Sequence, residues 1–220
     1  NVATDASASI KSSAGTESTS QIFHTVTYDT RDNRLTPTEG DVARLQTVLA
    51  GLGGSNKFIR NTFKAAKFYP ITDKWVASTT GHLGYIFGLG QDIKVLKRFN
   101  IGTDILRGFA NRGIGPRDKI SKDALGGEWM YGGSIQLDFP LGLPESVPIG
   151  GRAFSDFASI GKINPSPSYV WDDNSIRAAA GVGITYNSPF GPIGLDAALP
   201  ILKEDHDITE NVHFNFANSL

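Results

Sequence analysis

The sequence has no cysteine and a single methionine, and its 21 basic residues nearly balance its 22 acidic ones. Without cysteine there is no disulfide framework and no thiolate chemistry, although such a chain is compatible with an oxidising compartment. A formal net charge of −1 gives no electrostatic footprint for nucleic acid, and none is expected as a partner. No apolar run approaches the roughly 18–20 residues of a membrane helix, so any crossing has to be made by strands. Strong helical periodicity is also missing; only residues 41–50 read either way.

The signatures of catalysis are absent too. His24, His82, His206 and His213 are scattered, with no i, i+4 metal pair and no H-E-x-x-H. There is no G-x-S-x-G elbow. Gly88-Leu89-Gly90 does not lie between a strand and a helix, which disfavours a dinucleotide site. Asp29-Thr30-Arg31-Asp32-Asn33 lacks the spacing of a calcium loop and reads as a structured turn. The expectation is a protein that is not an enzyme, with no catalytic residue, no cofactor and no metal.

What the chain does have is glycine and aromatics: 25 Gly, 13 Phe, 6 Tyr and 3 Trp in 220 residues. They fall into period-2 segments. Ile22, His24, Val26 and Tyr28 alternate with Phe23, Thr25, Thr27 and Asp29. Further strands are expected at about 41–52, 57–69 and 74–87. Later, Trp129, Tyr131, Ile135, Leu137 and Phe139 share a face opposite Ser134, Gln136 and Asp138. The pattern continues through Ile149, Phe154, Phe157 and Ile160 and returns at 176–187, 193–199 and 212–220. Residues 1–20 read as a weak strand or a frayed tail, without the basic start or apolar core of a secretory signal, so the protein is expected to begin upstream. In all there are about nine or ten strand-sized segments, each near the roughly 9–11 residues of a tilted membrane strand. The class is all-β.

One stretch breaks the rhythm. Residues 88–125 are too long for a hairpin turn, and at their centre Phe99–Asp118 carries Leu106-Arg107-Gly108-Phe109. A long loop bearing an arginine and an aromatic on a regular scaffold is usually functional, with a disordered surface loop as the alternative. A soluble β-sandwich remains open for the whole chain. Two features favour a membrane barrel: one strand face is apolar and the other small and polar, and short Pro/Gly turns alternate with long polar loops.

The motifs themselves carry a resemblance. Asp29–Asn33 with Pro37-Thr38-Glu39-Gly40, Leu106–Phe109 with Gly113–Asp118, and Gly126-Gly127 with Leu137–Pro140 are similar to the Omp85 superfamily of outer-membrane assembly factors. Phe154-Ser155-Asp156, and Gly181–Ile184 with Ser188–Pro192, complete five motifs in the family's order. The resemblance implies that 1–220 is the C-terminal part of an antiparallel sixteen-stranded transmembrane barrel, with the earlier strands and the POTRA repeats upstream. It further implies that loop 88–125 folds into the lumen, where Arg107 meets Asp138 and Asp156 on the inner wall. Bidentate guanidinium–carboxylate geometry suits such a contact. Phe214, Phe216 and Leu220 mark the closing strand of a lateral seam, and Ala217 and Leu220 depart from the family's glycine and aromatic.

The implied function is insertion of unfolded outer-membrane protein clients in the Gram-negative outer membrane. Outer-membrane lipids and accessory assembly lipoproteins are the further partners. The alternatives are a dedicated secretion or solute pore and a membrane anchor for an upstream domain.

Overall fold

The computed structural model describes residues 7, 10, 11, 15–144, 147–163, 168–188 and 191–216. The long strands are β1 (Thr19–Asp29), β2 (Gly40–Gly54), β3 (Phe58–Thr72) and β4 (Trp75–Gly88), followed by a two-residue β5 (Arg117–Asp118). Then come β6 (Trp129–Pro140), β7 (Ile149–Gly161), a two-residue β8 (Val170–Trp171), β9 (Arg177–Ser188), β10 (Gly191–Leu202) and β11 (Val212–Phe216). Nine of them form one sheet in the order β1-β2-β3-β4-β6-β7-β9-β10-β11, with every adjacent pair antiparallel. β5 and β8 pair with each other outside it.

The sheet is a partial barrel turned inside out relative to a soluble domain. On β9 and β10, Val182, Ile184, Leu195 and Leu199 are 46–66% exposed while Asp196 and Ala198 between the last two are at most 1% exposed. Apolar side chains outside and polar or small ones inside are what lipid and a filled lumen require. The first eight long strands run 11–15 residues, enough to cross the hydrocarbon.

Residues 41–50, ambiguous by sequence, are strand. Val42 and Val48 point inward and Leu45 and Leu49 outward, so the helix-like spacing came from two apolar faces read as one. Most of residues 1–20 lies outside the described residues; Thr19 and Ser20 open β1.

Antiparallel alternation puts turns 30–39, 73–74 and 141–148 at one end and connections 55–57, 89–128, 162–176 and 203–211 at the other. At the short-turn end, Asp32 accepts hydrogen bonds from the Thr38 hydroxyl at 2.7 Å and from the Thr38 and Glu39 amides at 2.9 and 3.1 Å. The Asp29–Asn33 motif is thus a self-contained turn. Those donors hold the Asp32 carboxyl well below the usual carboxylate range.

The hydrophobic core lies inside the barrel. Phe99, Ile101, Ile105, Leu106, Phe109 and Ile114 of the long loop pack on Phe58, Ile86, Met130, Ala158, Ile160 and Ala179 of the inner wall. Small wall residues make the room: a Cβ at Gly132 would lie 2.6 Å from Ile105. The loop is pinned at its base by a two-way backbone bridge between Phe99 and Gly127, and internally by Arg117, which donates to the carbonyls of Lys122 and Arg112. Neighbouring loops hold its flanks, through β5 on β8 and through Ala110 N–H to the Ile208 carbonyl and Ile208 N–H to the Gly113 carbonyl.

Candidate functional site

The packed loop delivers Arg107 to the inner wall with its side chain 12% exposed. There the register of β6 and β7 sets Ser134 directly opposite Asp156. Arg107 Nε donates to Asp156 Oδ2 at 2.7 Å and Nη2 to Oδ1 at 2.8 Å, while the Arg107 backbone amide donates to Oδ2 at 3.1 Å. Ser134 Oγ accepts from Nη2 at 3.1 Å and itself donates to Asp156 at 2.6 Å. Gln136 Oε1 accepts from Nη1 at 3.0 Å. The guanidinium lies 3.3 Å above the centre of the Phe154 ring, and Nη1 faces Asp196 Oδ2 at 3.5 Å. A planar five-donor fork is therefore met on every edge and on one face, which a lysine ammonium cannot reproduce.

Asp156 is 2% exposed and takes the direct contact. Asp138 does not. Both its oxygens accept from Gln136 Nε2 at 3.1 Å, so it reaches Arg107 only through that amide. The reason is register: Ser134 sits opposite Asp156, whereas Asp138 is four residues farther along β6 and opposite Arg152. The expectation of a direct Arg107–Asp138 pair is corrected accordingly, with Gln136 in that place.

A second pair completes the wall. Arg152 on β7 binds Asp196 on β10 through Nε at 2.6 Å and Nη2 at 2.9 Å. Asn215 on β11 accepts from Arg152 Nη2 at 3.0 Å and donates to Asp196 Oδ2 at 2.8 Å. Two arginines and two carboxylates thus neutralise one another inside the lumen, as buried charges must. Gly194 permits this, since a Cβ there would collide with the Arg152 guanidinium and Asn215.

Around Arg107, Leu106 and Phe109 are each 1% exposed. Gly108 has φ +88°, and a Cβ on it would lie 3.0 Å from Ala179 Cβ. Its amide donates to His213 Nε2 at 2.8 Å. Phe214 and Phe216 lie on the outer face, 62% and 66% exposed, with their rings edge-on at 4.9 Å. Leu220 and Ala217 lie outside the described residues.

Sequence reasoning missed Ser134, Gln136, Arg152, Asp196, His213 and Asn215 as site residues. Each occupies an inward position of its strand, so the twofold period marked the face, although not the partners. On the short-turn side of the network the lumen opens into a cavity of about 910 Å³ bordered by Lys64, Ser78, His82 and Asp138.

The comparisons with known proteins agree with this geometry. The Omp85 superfamily domain matches residues 1–219. The chain belongs to the Omp85 superfamily. It is 34% identical over 216 residues to the outer membrane protein assembly factor BamA of Neorickettsia risticii, covering 97% of this chain and 29% of that protein. It is 29% identical over 214 residues to a SAM50-like protein of Schizosaccharomyces pombe, covering 92% of this chain and 45% of that one. Among solved structures, BamA from Haemophilus ducreyi lacking POTRA domains 1–3 superposes with a TM-score of 0.78 at 25% identity. That match covers 88% of this chain and 41% of the other. The Omp85 chain described here thus spans 29% and 45% of the length of the two curated relatives it matches.

Proposed function

We propose that this chain is the C-terminal part of the barrel of an outer-membrane protein assembly factor, resident in the Gram-negative outer membrane. It is not an enzyme: its work is to offer backbone edges to unfolded barrel clients. The observation that carries this reading is a sheet with an apolar outer face and β11 at its edge. Among the described residues β11 pairs with β10 alone, Val212–Phe216 against Ile193–Ala197. An edge strand with a lipid-facing outer side is a surface on which an incoming strand can add by β-augmentation. The Arg107 loop braces the lumen rather than touching the client. Outer-membrane lipids meet the apolar outer face, and accessory assembly lipoproteins are further partners.

The experiment is depletion of the full-length protein in its native cell, with unrelated outer-membrane barrels quantified in purified envelopes. A general fall, with clients accumulating unfolded, is expected. Constant porin levels together with loss of one secreted product or one solute flux would replace this reading with a dedicated transporter.

A further inference from the structure

β11 is the last strand of the described sheet and pairs there with β10 alone, and its inward side chains His213 and Asn215 are tied into the lumen. His213, 4% exposed, sits across from Asp196 in the β10–β11 ladder and accepts the Gly108 amide on Nε2. An amide donor at Nε2 places the imidazole proton on Nδ1 and fixes the neutral ring as an acceptor. The Gly108 carbonyl in turn accepts from the Glu210 amide at 3.2 Å, just before β11 begins. Both peptide groups of the glycine that follows Arg107 are therefore used by the β10–β11 hairpin. Two residues on, Asn215 bridges Arg152 and Asp196, which itself faces Arg107.

We infer that His213 and Asn215 are positioning residues that latch the edge strand β11 to the inward loop and to the wall of β7 and β10. This rests on the assembly reading for its purpose, although the latch itself does not. While Arg107 is docked on Asp156, Gly108 stands where His213 can hold it, and β11 is held from inside the barrel as well as by its ladder. Withdrawal of the loop removes the His213 contact, and Asn215 then follows with the Arg152–Asp196 pair it bridges. Seam opening and loop docking are two readouts of one network. The outward Phe214 and Phe216, which face away from it, do not take part in the latch.

The test uses the full-length protein in detergent micelles and reads backbone hydrogen exchange by peptide. His213→Phe keeps the ring volume and removes the acceptor, His213→Gln returns an acceptor, and Asn215→Leu removes the second tether. Exchange is expected to rise roughly tenfold in both 212–216 and 106–110 for His213→Phe, with 58–88 unchanged. His213→Gln is expected to restore most of the protection, which a purely volumetric role for the ring would not give. If His213→Phe does not fold, Asn215→Leu decides on the same peptides. Unchanged exchange in 212–216 for the folded variants overturns the latch, whatever the protein does to its clients.

Insertion of an unrelated barrel into proteoliposomes is read separately, and is expected to quicken at least twofold in the loosened variants. Fast exchange without any change in insertion would overturn the role of the latch in opening the seam. Absence of insertion by the wild type would overturn the assembly reading alone.

Discussion

Asp156 and Arg107, 49 residues apart in the chain, meet through two side-chain hydrogen bonds of 2.7 and 2.8 Å and a third from the Arg107 backbone. The contact joins the long loop 89–128 to strand β7. Gly108 follows it into close contact with Ala179, Phe154 lies under it, and Asp196 relates it to the second arginine. A loop of this length has a large entropy to lose on ordering, and the apolar cluster around Phe99, Leu106 and Phe109 offsets that loss. The charged contact then selects one seat for the packed loop.

Removing the arginine leaves the buried Asp156 carboxylate without its guanidinium partner. Arg107→Ala is expected to cost about 3–5 kcal/mol of barrel stability with strand content unchanged by circular dichroism. Arg107→Lys is expected to recover less than half, because a point charge cannot span Asp156, Ser134 and Gln136 together. Ile120→Ser, at an 84% exposed position of the same loop, is expected to stay within about 0.5 kcal/mol. Thermal unfolding in detergent, followed by heat-modifiable gel mobility, reads all three. Equal behaviour of Arg107→Ala and Ile120→Ser would sink the lumenal brace.

The two carboxylates expected from sequence to share Arg107 now separate into different predictions. Asp156→Asn is expected to cost about 3–5 kcal/mol, since it breaks a buried pair from the acidic side. Asp138→Asn is expected to cost less than about 1 kcal/mol, because an amide oxygen still accepts from Gln136 and no arginine is left bare. The same unfolding experiment ranks them. A larger loss at 138 than at 156 would restore the direct pairing that the register argues against.

How far the sequence shows all this depends on the kind of relation concerned. Alternation from Trp129 to Phe139 names the lumenal face of β6 without error, because a strand has only two faces. The level along that face is another matter. Whether Gln136 or Asp138 meets Arg107 turns on a two-residue offset set by pairing with β7, and pairing leaves no local trace. Arg152 and Asp196 are 44 residues apart on strands separated by β9, so neither advertises the other. At 41–50, Val42 and Val48 face the loop-filled lumen while Leu45 and Leu49 face lipid. A soluble sheet with one wet face would have shown cleaner alternation there. The Arg107 motif itself was legible through its resemblance to a family, since composition alone also fits a disordered loop.

Gly108 offers a test of close approach that leaves all the charges in place. Gly108→Ala forces a Cβ at φ +88° to within 3.0 Å of the Ala179 methyl carbon. Backbone strain and the clash together are expected to cost about 1–3 kcal/mol. Adding Ala179→Gly removes the clash and leaves the strain, so the double variant is expected to regain part of the loss, a coupling that a double-mutant cycle measures. Strict additivity would place residue 108 away from β9.

Acid should act on the long-loop end of the barrel through Asp173. Burial would raise its carboxyl, but hydrogen bonds from the Arg177 guanidinium and from the Ser175 hydroxyl and amide, with the Arg177 charge, more than offset burial and hold it at about 2. Arg177 Nη1 donates to Asp173 at 2.6 Å and its Nε to Asp207 at 2.9 Å, so this carboxylate helps fix connection 162–176 against 203–211. A folded value below the unfolded value of roughly 3.9 means that the native state binds fewer protons. The stabilisation is therefore complete above about pH 4 and is lost as the pH falls through about 2. Asp173→Asn lacks that contribution at every pH. Thermal midpoints of wild type and Asp173→Asn should accordingly differ at pH 6, with wild type higher, and converge between about pH 4 and pH 2. A gap that persists unchanged to pH 2 would show that the carboxylate charge is not what holds the two loops together.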